Sequence, residues 1–532
     1  MRGTAQHEGG RNMYERMQTL EFRHYILAHD LGTSSNKASL FSTEGELAGS
    51  EVQGYPVHYF NGIWAEQDAT DWWDAVCQTT QRLLWKTGIS PGQIKAVSFS
   101  GQMMGCLCVD QRGKPLRSAI IWADQRAQNQ ALDLGNKISQ EEFYRITGHR
   151  NNASYGVQKL MWVRDNEPEI YRETYKVLNA KDYIVYCLTG VFCTDYSDAN
   201  SMACFDINHL EWSGRVIDSA GIDPDKLPDA MPSVHVAGTV TRKAAGMTGL
   251  AEGTPVVIGC GDGVSASVGA GSIEPGRTYS CMGTSAWITT ASEKPLYDEK
   301  MRTVTWVHAV PGLYAPNGTM QTAGGAYSWI KDTVCEMESY RAEKEGKSPY
   351  DIIEEEIKNS PPGANGVLFL PYLMGERAPR WSHQAKGAFL GLKAENTRAD
   401  LLRSVLEGVT MNLSVILETL RTSVPVSDIT VVGGGARSRI WRQIMADILG
   451  TRILVPRVLE EAGSMGAAVI AGVGSGIYRD FHAINHYLEI VEEQKPGSEA
   501  QEAYQVSKEL FEACYQALEP VFPLMQANYA KT

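Results

Sequence analysis

The chain has 532 residues, more than one hydrophobic core usually supports, so two large domains are expected. Its hydrophobic fraction of 43% and charged fraction of 21% are typical of a folded globular protein and argue against extensive disorder. The net charge of −13 is spread along the chain without a basic block, which argues against nucleic acid or an anionic membrane as the main partner.

Residues 1–22 are polar and contain glycine, and we expect a flexible N-terminal tail there. This segment lacks the apolar core of a signal peptide, and there is no apolar run of about 18 residues elsewhere, the length that a membrane span needs. The ten cysteines include no Cys-x-x-Cys pair and are interpreted as reduced thiols. These features predict a cytoplasmic protein without a membrane partner.

The ordered part of the chain begins with three short strands joined by turns, predicted at 25–30, 36–42 and 47–57. An amphipathic helix follows over 68–88, with Asp and Thr as capping candidates and Gly88 at its end. The stretch 94–110 then alternates like a pair of strands. This order of elements indicates an α/β layer arrangement.

The same order restarts near residue 250. The second half contains a strand with a glycine turn, a small-residue helix, a further strand pair, a long amphipathic helix, a strand running into three glycines and a last helix, at 254–263, 264–272, 276–290, 398–421, 428–438 and 439–450. We therefore predict a duplicated architecture, with an N-terminal domain at 23–253 and a C-terminal domain at 254–532.

A polar turn follows the first strand, in "AHDLGTSSNK", and Asp30 stands at the end of that strand. The turn residues are Gly32, Thr33, Ser34, Ser35 and Lys37. Backbone N–H groups and hydroxyls of this kind can bind phosphate oxygens, and a carboxylate beside them can hold Mg²⁺ through water. An ordinary hairpin with a polar turn would have the same sequence.

A single carboxylate, Asp262, stands between two glycines in "VVIGCGDGVSASVGAG". Burying a charge there is costly unless it has a partner or a catalytic role. A third glycine turn follows a later strand, in "VVGGGARS", and is typical either of close approach to a ligand or of a plain strand-to-helix turn. The chain contains neither a Walker P-loop nor a convincing dinucleotide fingerprint. Two acid-bearing glycine turns and a third glycine turn favour a nucleotide and its acceptor over dinucleotide chemistry.

The stretch "GAFLGLKAENTRADLLRSVLEG" is similar, position by position, to a signature of the FGGY carbohydrate kinases. The matching residues are Gly387, Phe389, Gly391, Leu392, Asp400, Leu401, Ser404, Val405, Leu406 and Glu407. From about Tyr25 to about Tyr478, segments such as "IIWADQRA" and "LFLPYLMGERAPRW" most closely resemble the xylulokinase branch. The resemblance implies an α/β fold of two actin-like (ribonuclease H-like) ATPase domains with a cleft between them, ATP and Mg²⁺ as cofactors, a small sugar as partner, and a homodimer.

The resemblance also implies roles for individual residues. Asp262 is expected to be the catalytic base, which takes the proton from a sugar hydroxyl as it attacks the γ-phosphorus of ATP, and Asp30 to organise Mg²⁺. The turn that contacts phosphate would be Gly32, Thr33, Ser34, Ser35 and Lys37. The nucleotide side would be formed by Gly283, Thr284, Gly324, Ser328, Gly434, Gly435 and Ala436.

The sugar side is expected from Gln102, Met103, Met104, Trp122, Asp124, Ser154, Tyr155, Asp262 and Gly263. Met104 departs from the Met-His pair that is usual in xylulokinases, and a thioether barely hydrogen-bonds a sugar hydroxyl. The resemblance implies D-xylulose as the acceptor, phosphorylated at its terminal hydroxyl to D-xylulose 5-phosphate. It leaves open ribulose, a deoxyketose, a glycerol-like polyol or a signalling furanone, and, more distantly, a nucleotide-binding sensor without catalysis.

Overall fold

The computed structural model describes residues 23–529, so the tail predicted for residues 1–22 lies outside the described residues. The described chain divides into two compact units. Unit 1 comprises residues 23–269, Val307–Pro311 and Gly463–Tyr487, and unit 2 comprises Ala270–Trp306, Gly312–Ala462 and residues 488–529. Each unit has its own hydrophobic core, around Trp72 and Phe99 in unit 1 and around Leu406 and Trp441 in unit 2.

A seven-stranded sheet forms the centre of unit 1. Its strands are β1 (Tyr25–Leu31), β2 (Ser35–Ser42), β3 (Leu47–Gly54), β4 (Ile94–Gly101), β5 (Val236–Thr239), β6 (Pro255–Val257) and β7 (Cys260–Gly261). The order across the sheet is β5-β6-β4-β1-β2-β3, and β7 also pairs with β4. Because β1 and β4 are parallel and in register at Asp30 and Ser100, their carboxyl ends lie at one edge of the sheet.

Helices and short strands surround this sheet. The helices are α1 (Ala69–Thr87), α2 (Gln128–Gly135), α3 (Gln140–Thr147), α4 (Gly156–Asn166), α5 (Pro168–Glu173), α6 (Ala180–Thr189), α7 (Tyr196–Ser201), α8 (Gly214–Ala220), α9 (Arg242–Thr248) and α10 (Asp262–Gly269). The short strands are His58–Phe60, Trp64–Gln67, Leu107–Val109, Ala119–Ile120, Lys176–Leu178, Cys193–Asp195, Phe205–Asp206, Glu211–Trp212 and Asp229–Met231. The helix predicted at 68–88 is α1, because the Asp68 side chain accepts from the Thr70 N–H and Gly88 ends the helix at φ 67°.

Unit 2 is built on a second seven-stranded sheet. Its strands are β8 (Thr278–Met282), β9 (Ala286–Thr290), β10 (Val304–Val307), β11 (Tyr314–Met320), β12 (Asp428–Val432), β13 (Arg452–Pro456) and β14 (Ile490–Gln494), in the order β10-β11-β9-β8-β12-β13-β14. β8 is antiparallel to β9 and parallel to β12, as β1 is to β2 and β4. The strand order β11-β9-β8-β12 thus repeats the order β3-β2-β1-β4.

The remaining helices follow in the second half of the chain. They are α11 (Gly324–Val334), α12 (Glu336–Glu345), α13 (Pro349–Ile357), α14 (Arg398–Leu420), α15 (Arg439–Leu449), α16 (Ala462–Gly474), α17 (Ser498–Leu518) and α18 (Phe522–Tyr529), with short strands at Leu368–Leu370 and Ala388–Leu390. From Gly463 onward α16 belongs to unit 1. Among the helices of the described residues, none combines the length and hydropathy of a membrane span.

The division between the units differs from the predicted boundary at residue 253. β6 pairs with β5 and β4, and β7 pairs with β4, so this segment completes the sheet of unit 1. The unit therefore continues to Gly269. As a result Asp262, which the sequence analysis placed in the C-terminal domain, lies in the same unit as Asp30.

Candidate functional site

Asp30 lies at the end of β1 and is partly buried. Ser100, at the neighbouring end of β4, donates its hydroxyl to Asp30 Oδ1 at 2.7 Å. Gly463, near the start of α16, leaves so little room that a Cβ there would lie 3.0 Å from Asp30 Oδ2. The carboxylate is thus held from two sides.

Asp262 is the first residue of α10, directly after β7. The Gly263 N–H donates to Asp262 Oδ1 at 2.7 Å. Desolvation by the surrounding protein, together with the negative charge of Asp30, raises the pKa of Asp262 to about 7, although its side chain retains solvent access. A carboxylate that titrates near neutrality is well matched to general-base work at physiological pH.

Close contact between α10 and α16 holds the two acidic segments together within unit 1. The Ser265 hydroxyl donates to the carbonyl oxygen of Gly463 at 2.8 Å. A side chain at Gly466 would collide with the backbone of Ser265. Glycine is required at this crossing because the two helix backbones approach so closely.

The turn after β1 is fixed by three polar side chains. Tyr55 donates its hydroxyl to the carbonyl of Gly32 at 2.6 Å, and Gln67 donates to the carbonyl of Thr33 at 2.7 Å. Trp122 donates its indole N–H to Thr33 Oγ1 at 2.8 Å. Ser34 remains exposed, while Ser35 and Lys37 lie on β2, with Lys37 opposite Asp30. The predicted phosphate turn is therefore a rigid loop beside the Asp30 carboxylate.

The loop after β4 that contains Gln102, Met103 and Met104, here called the acceptor loop, packs directly against the glycine turn that carries Asp262. A side chain at Gly261 would collide with the buried Met103 thioether. Gln102 is buried, donates to Gln67 Oε1 at 2.7 Å, and has no partner for its own Oε1 among the described residues. Met104 adopts a left-handed backbone conformation, with φ 59°, which redirects the chain beyond the loop.

Trp122 and Asp124 occupy the adjoining loop but differ in what they contact. Trp122 is half-buried and bonded to Thr33. Asp124 is buried, and its carboxylate accepts from the Ala65 N–H at 2.6 Å and from Arg126 Nη2 at 2.7 Å. Arg126 in turn stacks over Trp64, 3.9 Å from the ring centre. These contacts show that Asp124 fixes the loop, and a sugar contact by Asp124 stays a prediction.

Ser154 and Tyr155 lie just before α4. Ser154 donates its hydroxyl to Asn152 Oδ1 at 2.7 Å, and the buried Tyr155 hydroxyl lies 3.2 Å from His149 Nδ1. Their link to the acceptor loop runs through α4, since Lys159 donates to the Met104 carbonyl at 2.7 Å. Gly263 has open space where a side chain would stand, which leaves room beside Asp262.

In unit 2, three glycine segments meet at the end of β8. The Gly324 N–H donates to the Gly283 carbonyl at 2.9 Å, and a Cβ at Gly435 would lie 2.8 Å from Met282 Cβ. Thr284 and Gly434 are exposed. The predicted nucleotide-side turns are thus brought together.

Two other residues predicted for the nucleotide side make internal contacts. Ser328 shares a 2.9 Å hydrogen bond with the Tyr350 hydroxyl. Ala436 is fully buried and its carbonyl accepts from Arg442 at 2.8 Å. Ala436 therefore supports the triple-glycine turn from within the core, and its role on the nucleotide side stays a prediction.

Three residues of the site were missed by sequence reasoning: Gln67, Ser100 and Gly463. Gln67 and Ser100 are single polar positions in short strands, and only their pairing across the sheet shows that they reach Thr33 and Asp30. Gly463 stands more than four hundred residues from Asp30 along the chain. The glycine-rich start of α16, "AGSMGAAV", was the one available signal of close packing.

Comparison with known proteins gives a consistent result. The N-terminal domain of the FGGY family of carbohydrate kinases matches residues 25–269, and the C-terminal domain of that family matches residues 278–475. The chain belongs to the FGGY family of carbohydrate kinases. It is therefore a sugar kinase with ATP as co-substrate, and the predicted two-domain α/β fold is confirmed.

Individual relatives of this FGGY kinase carry two different substrate names. A gluconokinase of Bacillus licheniformis is 32% identical over 510 residues, 96% of this chain and 98% of that protein. A xylulose kinase of Staphylococcus epidermidis is 33% identical over 504 residues, 92% of this chain and 96% of that protein. Sequence similarity alone therefore does not choose the sugar.

Solved structures show the same two names. A gluconate kinase from Lactobacillus acidophilus superposes with a TM-score of 0.88 at 25% identity, and a xylulose kinase from Rhodospirillum rubrum with 0.87 at 28%. Each alignment covers 94% of this chain and 100% of the other.

The acidic groups of this FGGY kinase fit a magnesium ion that is held mainly by its nucleotide. Within residues 23–529, no cluster of three or more His, Cys, Asp or Glu side chains could hold a metal by itself. Mg²⁺ usually keeps several waters and binds through one or two carboxylates together with substrate phosphates. Asp30, whose charge reaches Asp262 and which lies beside the predicted phosphate turn, would fit such a partial site.

Proposed function

We propose that the protein transfers the γ-phosphoryl group of ATP to the terminal hydroxyl of D-xylulose, giving D-xylulose 5-phosphate. The observation that carries the proposal is the packing of the acceptor loop, through Met103, against the glycine turn that bears Asp262. A sugar hydroxyl on this loop would lie beside a carboxylate whose pKa is raised to about 7. The neighbouring Asp30 and the predicted phosphate turn would bind the phosphates of ATP, the second reactant.

In this mechanism Asp262 removes the proton of the attacking hydroxyl. ATP would supply the phosphoryl group, and Mg²⁺ bound with it would neutralise the charge that develops during transfer. Asp30 would hold Mg²⁺ through water, and Ser100 keeps the Asp30 carboxylate oriented. The turn after β1 offers the exposed Ser34 hydroxyl to phosphate oxygens.

Gln102 can hydrogen-bond a sugar hydroxyl, which the Met104 thioether barely does. Its buried Oε1 has no partner among the described residues, and a buried acceptor without a donor is unfavourable. A sugar hydroxyl that donates to this oxygen would satisfy it. Because the Gln102 amide is held by Gln67, the oxygen has a fixed direction.

D-gluconate is the second candidate acceptor, favoured by the gluconokinase names among relatives of equal similarity and by the missing histidine at Met104. The cations near the acceptor loop argue for the neutral sugar. Lys159 is committed to the carbonyls of Met104 and Ile121, at 2.7 and 2.8 Å. Arg126 pairs with Asp124 and Glu66, each at 2.7 Å, so a gluconate carboxylate would compete with existing contacts.

An assay of ADP release with MgATP tests the proposal. Purified protein is supplied in turn with D-xylulose, D-ribulose, D-gluconate, glycerol and no acceptor, and the phosphorylated product is identified by mass spectrometry. The highest kcat/KM is expected for D-xylulose, and chelation of Mg²⁺ should abolish turnover. Preference for gluconate would keep the kinase and replace the sugar, whereas no turnover above the control with any acceptor would contradict the proposal.

The homodimer expected from the family resemblance stays a prediction. Sedimentation of the full chain would test it.

A further inference from the structure

Below the acceptor loop, unit 1 contains a fully buried charge cluster consisting of Lys181, Asp182, Asp195 and Asp198. The Lys181 ammonium lies 2.6 Å from Asp182 Oδ1, 2.9 Å from Asp195 Oδ1 and 3.1 Å from Asp198 Oδ2. All four side chains have no solvent exposure. One cation thus faces three carboxylates inside the protein.

Such a cluster is costly to bury, and a buried ion pair is weak evidence for stability. Burial raises the pKa of Asp182 and, more strongly, that of Asp198, whereas Lys181 acts to lower both. Burial acts to lower the pKa of Lys181, but the three carboxylates together raise it well above its usual value. Lys181 therefore stays charged. Because hydrophobic packing does not account for four buried charged side chains, their presence points to another role.

One branch of the cluster reaches the residue before Asp262. Ser197 donates its hydroxyl to Asp195 Oδ2 at 2.7 Å and accepts the Gly261 N–H at 2.9 Å. Gly261 is the last residue of β7, and Asp262 follows it. Ser197 therefore joins the cluster to the backbone that carries the proposed base.

A second branch reaches the acceptor loop. Ser201 donates its hydroxyl to the Asp198 carbonyl at 2.8 Å and accepts the Met104 N–H at 3.0 Å. Asn179, whose N–H donates to Asp182 Oδ2 at 3.1 Å, accepts the Gly105 N–H at 2.8 Å. Two consecutive N–H groups of the loop are thus held by residues attached to the cluster.

We propose that the buried lysine–aspartate cluster is a positioning element that sets the distance between the acceptor loop and Asp262, through Ser201 and Ser197 respectively. This inference rests on the proposed function, because it assigns the loop to the sugar and Asp262 to proton removal. Rigid placement of both groups is what orients the hydroxyl for attack. Ser201 thus positions the loop that binds the sugar, and Ser197 positions the base that removes the proton.

The serines provide a sharper test than Lys181, because replacing the lysine would leave buried carboxylates unpaired and is expected to unfold the protein. Ser197→Ala and Ser201→Ala each remove one hydroxyl. Ser219→Ala is the matched control, since Ser219 is also buried, lies in the same unit, and its hydroxyl bonds to Arg215 of the same helix. Melting temperature, kcat and KM for the acceptor are measured for all three and for the wild type.

Ser197→Ala is expected to lower kcat about tenfold with little change in the acceptor KM, because Asp262 is misplaced while the sugar still binds. Ser201→Ala is expected to raise the acceptor KM about tenfold with a smaller change in kcat. Ser219→Ala should leave both constants within about twofold of wild type at a comparable melting temperature.

If both serine variants match Ser219→Ala in kcat and KM, the inference is overturned, and an equal change of both constants in both variants would also overturn it. The proposed function is tested separately by wild-type turnover and by Asp262→Asn. Suppose that the wild type turns over normally, Asp262→Asn abolishes turnover, and both serine variants behave like the wild type. This result would reject the positioning role and leave the proposed function standing. Failure of the wild type to phosphorylate any sugar would reject both.

Discussion

The turn after β1 in unit 1 and the turn after β8 in unit 2 have nearly the same sequence, Leu31-Gly-Thr-Ser and Met282-Gly-Thr-Ser. In both, the glycine N–H donates to a serine carbonyl, Gly32 to Ser35 at 3.0 Å and Gly283 to Ser285 at 2.9 Å. Each turn joins a central strand to an antiparallel neighbour. The two units thus contain the same supersecondary element.

The two turns differ in the residue before this motif, which is Asp30 in unit 1 and Cys281 in unit 2. Unit 1 adds Asp262 near Asp30, whereas unit 2 brings further glycines, Gly324 and Gly433, to its turn. A carboxylate pair suits metal and proton chemistry, and a glycine-lined turn suits close approach of a ligand with its own charge. We infer that the duplicated turn serves metal and proton chemistry in unit 1, where it carries acid, and close approach of a ligand in unit 2.

The largest expected effect comes from Asp262→Asn, which keeps the shape of the side chain but removes the base. Since general-base catalysis contributes about 10²–10⁴-fold, we expect kcat to fall by about 10³-fold with the acceptor KM changed little. ADP release at saturating MgATP and sugar measures the effect. A folded variant with near-normal kcat would show that Asp262 is not the base.

A smaller effect is expected from Asp30→Asn, which makes the turn of unit 1 as neutral as that of unit 2. We expect kcat to fall by about 10²-fold and the Mg²⁺ concentration for half-maximal rate to rise, because the water-mediated metal contact loses its charge. The matched variant in unit 2, Cys281→Ser, should leave kcat within about twofold. Equal losses in the two variants would remove the proposed difference between the turns.

Much of this arrangement follows from local sequence. The strand meander of unit 1 and helix α1 were predicted because alternation, capping by Asp68 and the glycine at position 88 are local signals. The glycine turns at Asp30 and Asp262 were found for the same reason. Resemblance to the FGGY kinases supplied their roles.

The domain boundary and the buried charge cluster could not be obtained in this way. β6 and β7 contain three and two residues, and both pair with β4, more than 150 residues earlier, while β6 also pairs with β5. Lys181 meets Asp195 and Asp198 only after α6 and α7 have packed together. Asp124 was assigned to the sugar by resemblance, which stays a prediction, and its contacts with Arg126 and Ala65 depend on side-chain geometry that sequence patterns do not give.

The smallest expected effect concerns the choice of sugar. Met104→His restores the pair that the resemblance implies, and histidine tolerates the left-handed conformation of this position, φ 59°. We expect KM for D-xylulose to fall by about three- to tenfold, the value of one added hydrogen bond, with kcat changed little. Kinetics with D-gluconate as control distinguishes the candidates, because a selective gain for gluconate would indicate that the acceptor loop is built for the acid.

The pH dependence of kcat/KM for the acceptor tests most directly the claim that Asp262 is a base tuned by Asp30. Only the deprotonated carboxylate accepts a proton, so the rate should rise about tenfold per pH unit on the acid side and level off above the pKa of about 7. In Asp30→Asn the bend should move to lower pH, because the negative charge that raises the pKa is gone. A wild-type profile that is flat from about pH 5 to about pH 8, or a bend that Asp30→Asn leaves in place, would contradict the account.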